Sequence, residues 1–203
     1  MQNSFVKTML QILMKITNKV KKNLSAGVQR IRKWHLKNLY KERLNYGKHF
    51  FLSSSSSIHL DITGSVIKFG HNVQVRDYCS IRSEQNGIID IGDNVFFNNE
   101  CSINSMGLIK VGKDCQFGEG VKLYDHNHKY TDITALISRQ GYVVGEITIG
   151  SNCWIGTNVT ILKDVHIGEN VIIGAGCVIY KSIPSNSIVV NNQNLVIQQR
   201  LDI

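Results

Sequence analysis

Residues 147–179 read ITIGSNCWIGTNVTILKDVHIGENVIIGAGCVI, a run in which isoleucine returns at every sixth position. The returning residues are Ile149, Ile155, Ile161, Ile167, Ile173 and Ile179. A period of six fits neither the 3.6 residues of an α-helical turn nor a heptad, but it fits a short strand followed by a tight corner. Three such units close one triangular turn, so the run predicts a solenoid.

The same period reaches back along the chain to Phe69. Fifteen apolar anchors recur up to Ile179, which predicts about five triangular coils. The earlier anchors are Phe69, Val75, Ile81, Ile91, Phe97, Ile103, Val111, Phe117 and Leu123. Because strand side chains alternate faces, each anchor and the residue two before it are expected to point inward. Residue types that accept positive φ follow three places later and are expected at corners: Asn72, Asn94, Asp114, Gly120, Asn152, Asn158, Asp164, Asn170 and Gly176.

Composition divides the 203 residues into unequal parts. We expect a basic amphipathic helical segment (1–50), a linker with a capping strand (51–66), the repeat domain with a loop at 124–146 (67–183), and a tail (184–203). Of the 23 Lys and Arg residues, twelve lie in residues 1–50 beside one acid, Glu42. The remaining eleven cations face fourteen acids, so the repeat domain is slightly acidic and no nucleic-acid partner is expected.

The basic segment has apolar residues at helical spacing with lysines between them. The apolar positions are Phe5, Met9, Ile12, Leu13, Ile16, Val20 and Leu24. Two interpretations stand: residues 1–45 make peripheral contact with an anionic membrane leaflet, or the helix caps the solenoid. No apolar run is long enough for a membrane span.

All five cysteines lie two residues before an anchor and are therefore expected in the interior. They are Cys79, Cys101, Cys115, Cys153 and Cys177. Buried Cys acts as a small hydrophobic residue, and the sequence has no CxxC pair or recognisable secretory signal. These features predict a reduced, cytoplasmic protein without a cysteine nucleophile.

The spacing breaks after Ile81, Ile103 and Leu123, each the third anchor of a coil. All three excursions therefore leave from one edge of the solenoid, where we expect the functional site. The longest excursion opens YDHNHKYTD at residues 124–132. His126 and His128 are candidate general bases, and Asp125 or Asp132 is a candidate for orienting the ring.

The six-residue repeats (hexads), this loop and the closing run IGAGCVIYKSIP (173–184) together resemble the hexapeptide-repeat acyltransferases. Within that family, the chain is similar to the maltose, galactoside and nodulation O-acetyltransferases and to those that modify bacterial surface polysaccharides. The resemblance covers about residues 60–190. It implies a left-handed parallel β-helix, a homotrimer with sites between neighbouring prisms, and direct transfer of an acetyl group from acetyl-CoA to a sugar or glycan hydroxyl.

The resemblance also implies roles for individual residues. The family's base matches His128 best, with His126 as the competitor and Asp125 beside it. Donor-binding positions match Trp154, Gly156, Ala175, Tyr180 and Lys181, although Trp154 also suits a trimer interface and the two small residues also suit corner geometry. Acceptor-binding positions match Asn98, Asn99 and Asn104, of which Asn98 and Asn104 directly follow anchors and also suit corners. Residues 191–195, NNQNL, depart from the family's closing Gly-x-Pro-Ala with its following cation, and this leaves the contact with the donor nucleotide open.

Two other interpretations remain. A zinc enzyme like the γ-class carbonic anhydrases shares the fold and needs three histidines, for which His71, His126, His128 and His166 are available. A non-enzymatic scaffold held at a membrane by the basic helix leaves the histidine-bearing loop unexplained. The acyltransferase interpretation requires no metal.

Overall fold

The computed structural model describes residues 27–192. The predicted apolar positions from Phe5 to Leu24 and the tail beyond residue 192 lie outside the described residues.

The described chain winds into three parallel sheets that form the faces of a solenoid. The first sheet contains β1 (Leu44–Tyr46), β4 (Val66–Phe69), β7 (Ile88–Ile91), β10 (Leu108–Val111), β15 (Glu146–Ile149) and β18 (Val165–Ile167). The second contains β2 (Phe51–Leu52), β5 (Gln74–Val75), β8 (Phe96–Phe97), β11 (Gln116–Phe117), β16 (Trp154–Ile155), β19 (Ile172–Ile173) and β21 (Ile188–Val189). The third contains β3 (Ser57–Leu60), β6 (Ser80–Ser83), β9 (Ser102–Ser105), β12 (Lys122–Tyr124), β17 (Thr160–Ile161) and β20 (Val178–Ile179).

The solenoid has about six coils, one more than the hexads predict, since the sheets hold six, seven and six strands. The additional coil is formed by β1, β2 and β3. The stretch expected as a linker and capping strand (51–66) therefore contributes two strands, β2 and β3, to the sheets of the solenoid. Its polar sequence hides the repeat because Ser53 and Ser56 occupy buried positions. Their hydroxyls reach Asp77 and the Arg76 carbonyl, which compensates for their burial. At the other end, β21 extends the second sheet past residue 183.

The predicted interior and corners are confirmed. All fifteen anchors and all five cysteines are at most 6% exposed. The nine predicted corner residues all have positive φ, between 56° and 72°. Tyr78 and Glu100 occupy equivalent corners with φ of 59° and 62°, which their residue types do not predict.

A helix spanning 27–40 lies across the open end of the first coil. Arg32 donates to the Ser53 and Ser56 carbonyls, and Lys33 donates to the Phe50 carbonyl. On the same side, Leu36 packs against the core and Tyr40 is buried. For the described part of the basic segment, the structure therefore shows a cap. No helix within 27–192 is long and apolar enough to cross a membrane.

The three excursions leave from the carboxyl edge of the third sheet, as predicted. The longest, 125–145, begins with β13 (His126–His128) and returns through β14 (Tyr142–Val144), which pairs antiparallel with it. Two 3-10 helices complete the described elements: Lys41–Arg43, which precedes β1, and Ile137–Arg139, which lies within the excursion. This hairpin rises beside the outer face of the third sheet and forms one wall of the site.

Candidate active site

Asp125 lies at the base of the long excursion and is fully buried. It follows the anchor Leu123 by two residues, so the alternation of the strand turns its side chain inward. Ser83 and Ser105 hold the same position in the two preceding coils and are also buried. A polar column therefore runs under the edge from which the excursions depart.

Four donors surround the Asp125 carboxylate. Oδ2 accepts hydrogen bonds from Ser105 Oγ at 2.6 Å and from the Gly107 amide at 3.0 Å. Oδ1 accepts one from the Met106 amide at 2.9 Å and lies 3.0 Å from His126 Nδ1. An ionised carboxylate has about four acceptor positions and no proton to donate. Beside an ionised Asp125, His126 Nδ1 carries the ring hydrogen and Nε2 keeps its lone pair.

The His126 side chain is 15% exposed and is held between two tyrosines. Its ring makes edge-on contacts with Tyr124, at 6.5 Å between ring centroids, and with Tyr142, at 5.5 Å. The hydrogen bond to Asp125 and the two aromatic contacts fix both the tautomer and the orientation of the ring. The arrangement suits proton abstraction from a ligand by Nε2.

His128 lies further along the same strand and is exposed. Its ring stacks at a tilt on Tyr142, 4.7 Å between centroids, and it does not line the pocket described below. The other candidate for orienting a histidine, Asp132, binds the Thr134 amide and hydroxyl instead. These two hydrogen bonds close a turn of the loop, and they lower the pKa of the Asp132 carboxyl.

A pocket of about 400 Å³ opens between the hairpin and the outer face of the third sheet. His126, Tyr124 and Tyr142 form its upper wall. Polar residues from β6 and β9 and the turns after them form most of the rest, with Met106 beside them: Ser80, Arg82, Glu84, Ser102, Asn104 and Ser105, whose side chain is buried. A histidine base above many hydroxyl, amide and charged groups suits a polyhydroxylated ligand.

Of the predicted acceptor residues, Asn104 lies in this pocket and donates to Ser102 Oγ at 2.9 Å. Asn98 and Asn99 lie at the corner after β8, away from the pocket. The Asn98 side chain accepts a hydrogen bond from the Asn99 amide at 2.9 Å, and the Asn99 side chain accepts one from the Asp77 amide at 3.3 Å. These two asparagines stabilise a corner.

The predicted donor residues are distributed over separate parts of the solenoid. Trp154 projects from the second sheet, is 58% exposed and borders a shallow pocket of about 230 Å³ with Gln116 and Ile172. Gly156 is buried against the next coil, where an added Cβ would come within 2.7 Å of the Ala175 amide nitrogen, so close packing of coils requires this glycine.

Ala175 is exposed at the corner after β19. Tyr180 and Lys181 follow β20 at the edge from which the long excursion departs, and both are exposed. Lys181 Nζ lies 5.6 Å from the centre of the Tyr180 ring.

The histidines considered for zinc lie apart. His71 Nδ1 accepts the Lys48 amide at 2.9 Å at a corner of the early coils. His166 lies in β18, with Nδ1 2.8 Å from Thr148 Oγ1. Across residues 27–192, no three His, Cys, Asp or Glu side chains come together in a group that could hold a metal ion.

The hexad pattern singles out Asn104 but not its neighbours in the pocket. Arg82 and Tyr124 also directly follow third-sheet anchors, and Ser80 and Ser102 directly precede them. Applying the register of one outward column to adjacent coils would have identified these four residues. Tyr142 lies outside the six-residue repeat, on the returning strand of the hairpin, so the repeat does not predict its position.

Comparison with known proteins agrees with the fold. Residues 146–181 match the family Bacterial transferase hexapeptide (six repeats). The structure of AntD, an N-acyltransferase from Bacillus cereus in complex with dTDP and 3-hydroxybutyryl-CoA, superimposes with a TM-score of 0.64 at 20% identity. That match covers 78% of this chain and 83% of AntD.

Three curated relatives extend the match over most of the chain. A probable acetyltransferase of Mycobacterium tuberculosis is 29% identical over 74% of this chain, but this spans only 50% of the relative's length. The putative lipopolysaccharide biosynthesis O-acetyl transferase WbbJ of Escherichia coli is 28% identical over 72% of this chain, and the match covers 66% of the length of WbbJ. A putative acetyltransferase of Dictyostelium discoideum is 32% identical over 78% of this chain and 73% of its own. From the six-residue repeats, the solenoid and this last relative together, the chain belongs to the hexapeptide-repeat acyltransferase family.

Proposed function

We propose that the protein transfers an acetyl group from acetyl-CoA to a sugar hydroxyl, with His126 as the general base. The observation that carries the proposal is the 3.0 Å contact between His126 Nδ1 and the buried Asp125 carboxylate, above a polar pocket. WbbJ is described as an O-acetyl transferase of lipopolysaccharide biosynthesis, which favours a surface-polysaccharide acceptor.

The chemistry is direct transfer. His126 Nε2 takes the proton of the acceptor hydroxyl as its oxygen attacks the thioester carbonyl carbon. The carbon–sulfur bond then breaks, the acetyl group stays on the acceptor oxygen, and the CoA thiolate takes up the proton. Asp125 stabilises the imidazolium that forms in between. The five cysteines are buried in the core, so a covalent acyl-enzyme intermediate on sulfur is not part of the scheme.

The donor is proposed to approach His126 from the side of the later coils. Lys181 lies two strand positions from β12 in the third sheet, about 10 Å along the solenoid. Its exposed ammonium group suits a CoA phosphate, and Tyr180 offers an aromatic face beside it. Trp154 faces outward from another sheet, so its contact with the same donor requires a neighbouring protomer. The acceptor pocket lies on the opposite side, towards β9 and β6.

The test is thiol release from acetyl-CoA with a panel of sugars and glycan precursors. We expect acceptor-dependent release in the parent protein and its loss, by a factor of about 100 or more, in His126→Ala. His128→Ala should reduce release less, because His128 stacks on Tyr142 and does not line the pocket. His166→Ala, on the first sheet, is the matched control. Release that survives His126→Ala at the parental rate contradicts the assignment, and loss in His128→Ala alone reverses the two roles.

A second part of the proposal concerns the membrane. Residues 1–26 contain five lysines and no acid. The adjoining helix keeps Ile31, Trp34 and Leu39 at 69%, 68% and 56% exposure. Cations next to exposed apolar side chains favour peripheral binding to an anionic leaflet. Deleting residues 1–26 leaves the capping contacts in place and should abolish sedimentation with phosphatidylserine vesicles, and equal sedimentation with and without the segment contradicts this part.

A further inference from the structure

The pocket below His126 continues along the outer face of the third sheet as an ordered polar track. Tyr124 is in register with Asn104, Asn104 with Arg82, and Arg82 with His59. A parallel row two residues earlier places Ser102 beside Ser80. Each step crosses one coil, so the track runs straight along the solenoid axis.

The track is longer than one reacting sugar requires. Adjacent strands lie about 4.8 Å apart, so Arg82 lies roughly 10 Å along the axis from Tyr124 and the histidine above it. The volume of about 400 Å³ falls in the range of sites that enclose drug-sized ligands. A hydroxyl placed at His126 therefore leaves the Arg82 end of the pocket for a second group.

The chemistry at that end is balanced in charge. Arg82 Nη2 lies 3.0 Å from Glu84 Oε1, and His59 Nε2 lies 3.8 Å from the same oxygen. The Arg82 side chain is 50% exposed and that of Glu84 is 32% exposed, so both retain free hydrogen-bonding capacity. Arg82 supplies donors, Glu84 supplies acceptors, and the hydroxyls of Ser80 and Ser102 supply either.

This balance distinguishes between ligand classes. A phosphate bound to Arg82 would place negative charge beside the Glu84 carboxylate, which costs electrostatic energy. A neutral polyhydroxylated unit can accept from Arg82 and donate to Glu84 without disrupting their ion pair. The polar track therefore matches a saccharide better than a diphosphate.

We propose that Arg82, Glu84, Ser80 and Ser102 form a subsite for a second, neutral sugar unit of the acceptor. The protein then acts on a glycan of at least two sugar units in preference to a monosaccharide. This inference rests on the proposed function, since it takes the sugar at His126 as the first unit.

The test compares matched acceptors with the parent protein and Arg82→Gln. The pairs are glucose with maltose, galactose with lactose, and N-acetylglucosamine with chitobiose. Lys110→Gln, an exposed cation on the first sheet, is the control. The readout is the ratio of kcat/KM for disaccharide to monosaccharide, in which a general loss of folded or active protein cancels. Binding of the same sugars is measured in parallel by saturation-transfer NMR, which needs no turnover.

We expect a ratio of about ten or more in at least one pair, because a hydrogen bond to a charged group strengthens binding by about this factor. The ratio should fall towards one in Arg82→Gln and stay at the parental value in Lys110→Gln. A ratio near one in every pair overturns the subsite, as does a high ratio that survives Arg82→Gln. Displacement of a bound disaccharide by inorganic pyrophosphate, dependent on Arg82, overturns the saccharide assignment in favour of an anion. If no sugar is turned over, the proposed function fails and binding decides: Arg82-dependent disaccharide binding supports the subsite, and absence of disaccharide binding overturns it.

Discussion

The position of one carboxylate decides the chemistry that the site can perform. Asp125 is inaccessible to solvent, and all its acceptor positions are filled by Ser105, two backbone amides and His126. Because the Met106 and Gly107 amides can only donate, one to each carboxylate oxygen, they hold Asp125 as an acceptor and so favour one tautomer of His126. The orientation of the proposed general base thus depends on the packing of the coil beneath it.

Asp125→Asn is expected to disrupt this arrangement. An amide presents two hydrogens where the native group presents none, so at least one must face Ser105, a backbone N–H or His126. We expect kcat to fall by about a thousandfold or more, as in triads whose carboxylate is replaced by an amide. The tautomer of His126, read from its ¹⁵N shifts, should change as well. A fall in kcat of less than tenfold with unchanged shifts contradicts the orienting role.

The same residues show what a sequence can and cannot indicate. The hexad places Asp125 two residues after an anchor, and this position predicts an inward side chain without any knowledge of the loop. The choice between His126 and His128 depends on the hairpin, because both lie in the gap between the anchors Leu123 and Ile149 and both contact Tyr142. That tyrosine lies sixteen residues further along the chain, at a distance that no period links to His126.

At the level of elements, the first coil presents a problem that the inner coils do not have. Its strands β1, β2 and β3 are edge strands, so backbone carbonyls of these strands and of the segments beside them have no further coil to pair with. Lys37 donates to the Leu44 carbonyl at 3.0 Å, and Arg43 donates to the Thr63 carbonyl at 2.9 Å. Arg32 and Lys33 cover three more carbonyls, and burial lowers the pKa of both side chains. Much of the positive charge of the described segment therefore has a structural use.

Arg32→Met should destabilise the first coil. The substitution keeps an apolar stem but leaves the Ser53 and Ser56 carbonyls without a donor, at a cost of about 1–3 kcal/mol for each buried group left unsatisfied. Urea denaturation should show a lower midpoint. Arg76→Met, which removes an exposed cation from a later coil, serves as the comparison. Equal midpoints for the two variants would show that water replaces the guanidinium at no cost.

The predicted repeat gives the inner coils and misses the outer ones for a related reason. Inner coils bury Val, Ile, Phe and Cys against neighbours on both sides, and those residue types carry the period. The first coil meets a helix on one side, so hydrogen-bonded Ser53 and Ser56 occupy positions at which the pattern expects apolar residues. The capped first coil therefore lacks the apolar six-residue pattern by which the inner coils are recognised.

On the scale of the whole molecule, the three faces of the solenoid differ in polarity. The outward residue before each anchor is polar throughout the first sheet, from Asn45 to His166. In the second sheet the corresponding column is mostly apolar and exposed: Phe51 is 44% exposed, Trp154 58%, Ile172 37% and Ile188 71%. Gln74 and Gln116 interrupt this column in the earlier coils, whereas Trp154, Ile172 and Ile188 are adjacent in register. Adjacent exposed apolar side chains on one face of a solenoid are typical of an interaction surface. We propose the second sheet as the assembly face of the homotrimer that the family resemblance implies.

Ile172→Lys tests this assignment without altering Trp154 or the residues around His126. We expect light scattering to give three times the mass of a single chain for the parent protein and a single-chain mass for the variant. The free-energy cost of burying an unpaired lysine in the interface exceeds the free energy gained from the apolar contact. Thiol release should fall together with the trimer if Trp154 and Lys181 of neighbouring protomers hold one donor. Lys110→Glu, on the polar face of the first sheet, should leave the mass unchanged. A single-chain mass for the parent, or a trimer that tolerates Ile172→Lys, rules out the second sheet as the assembly face.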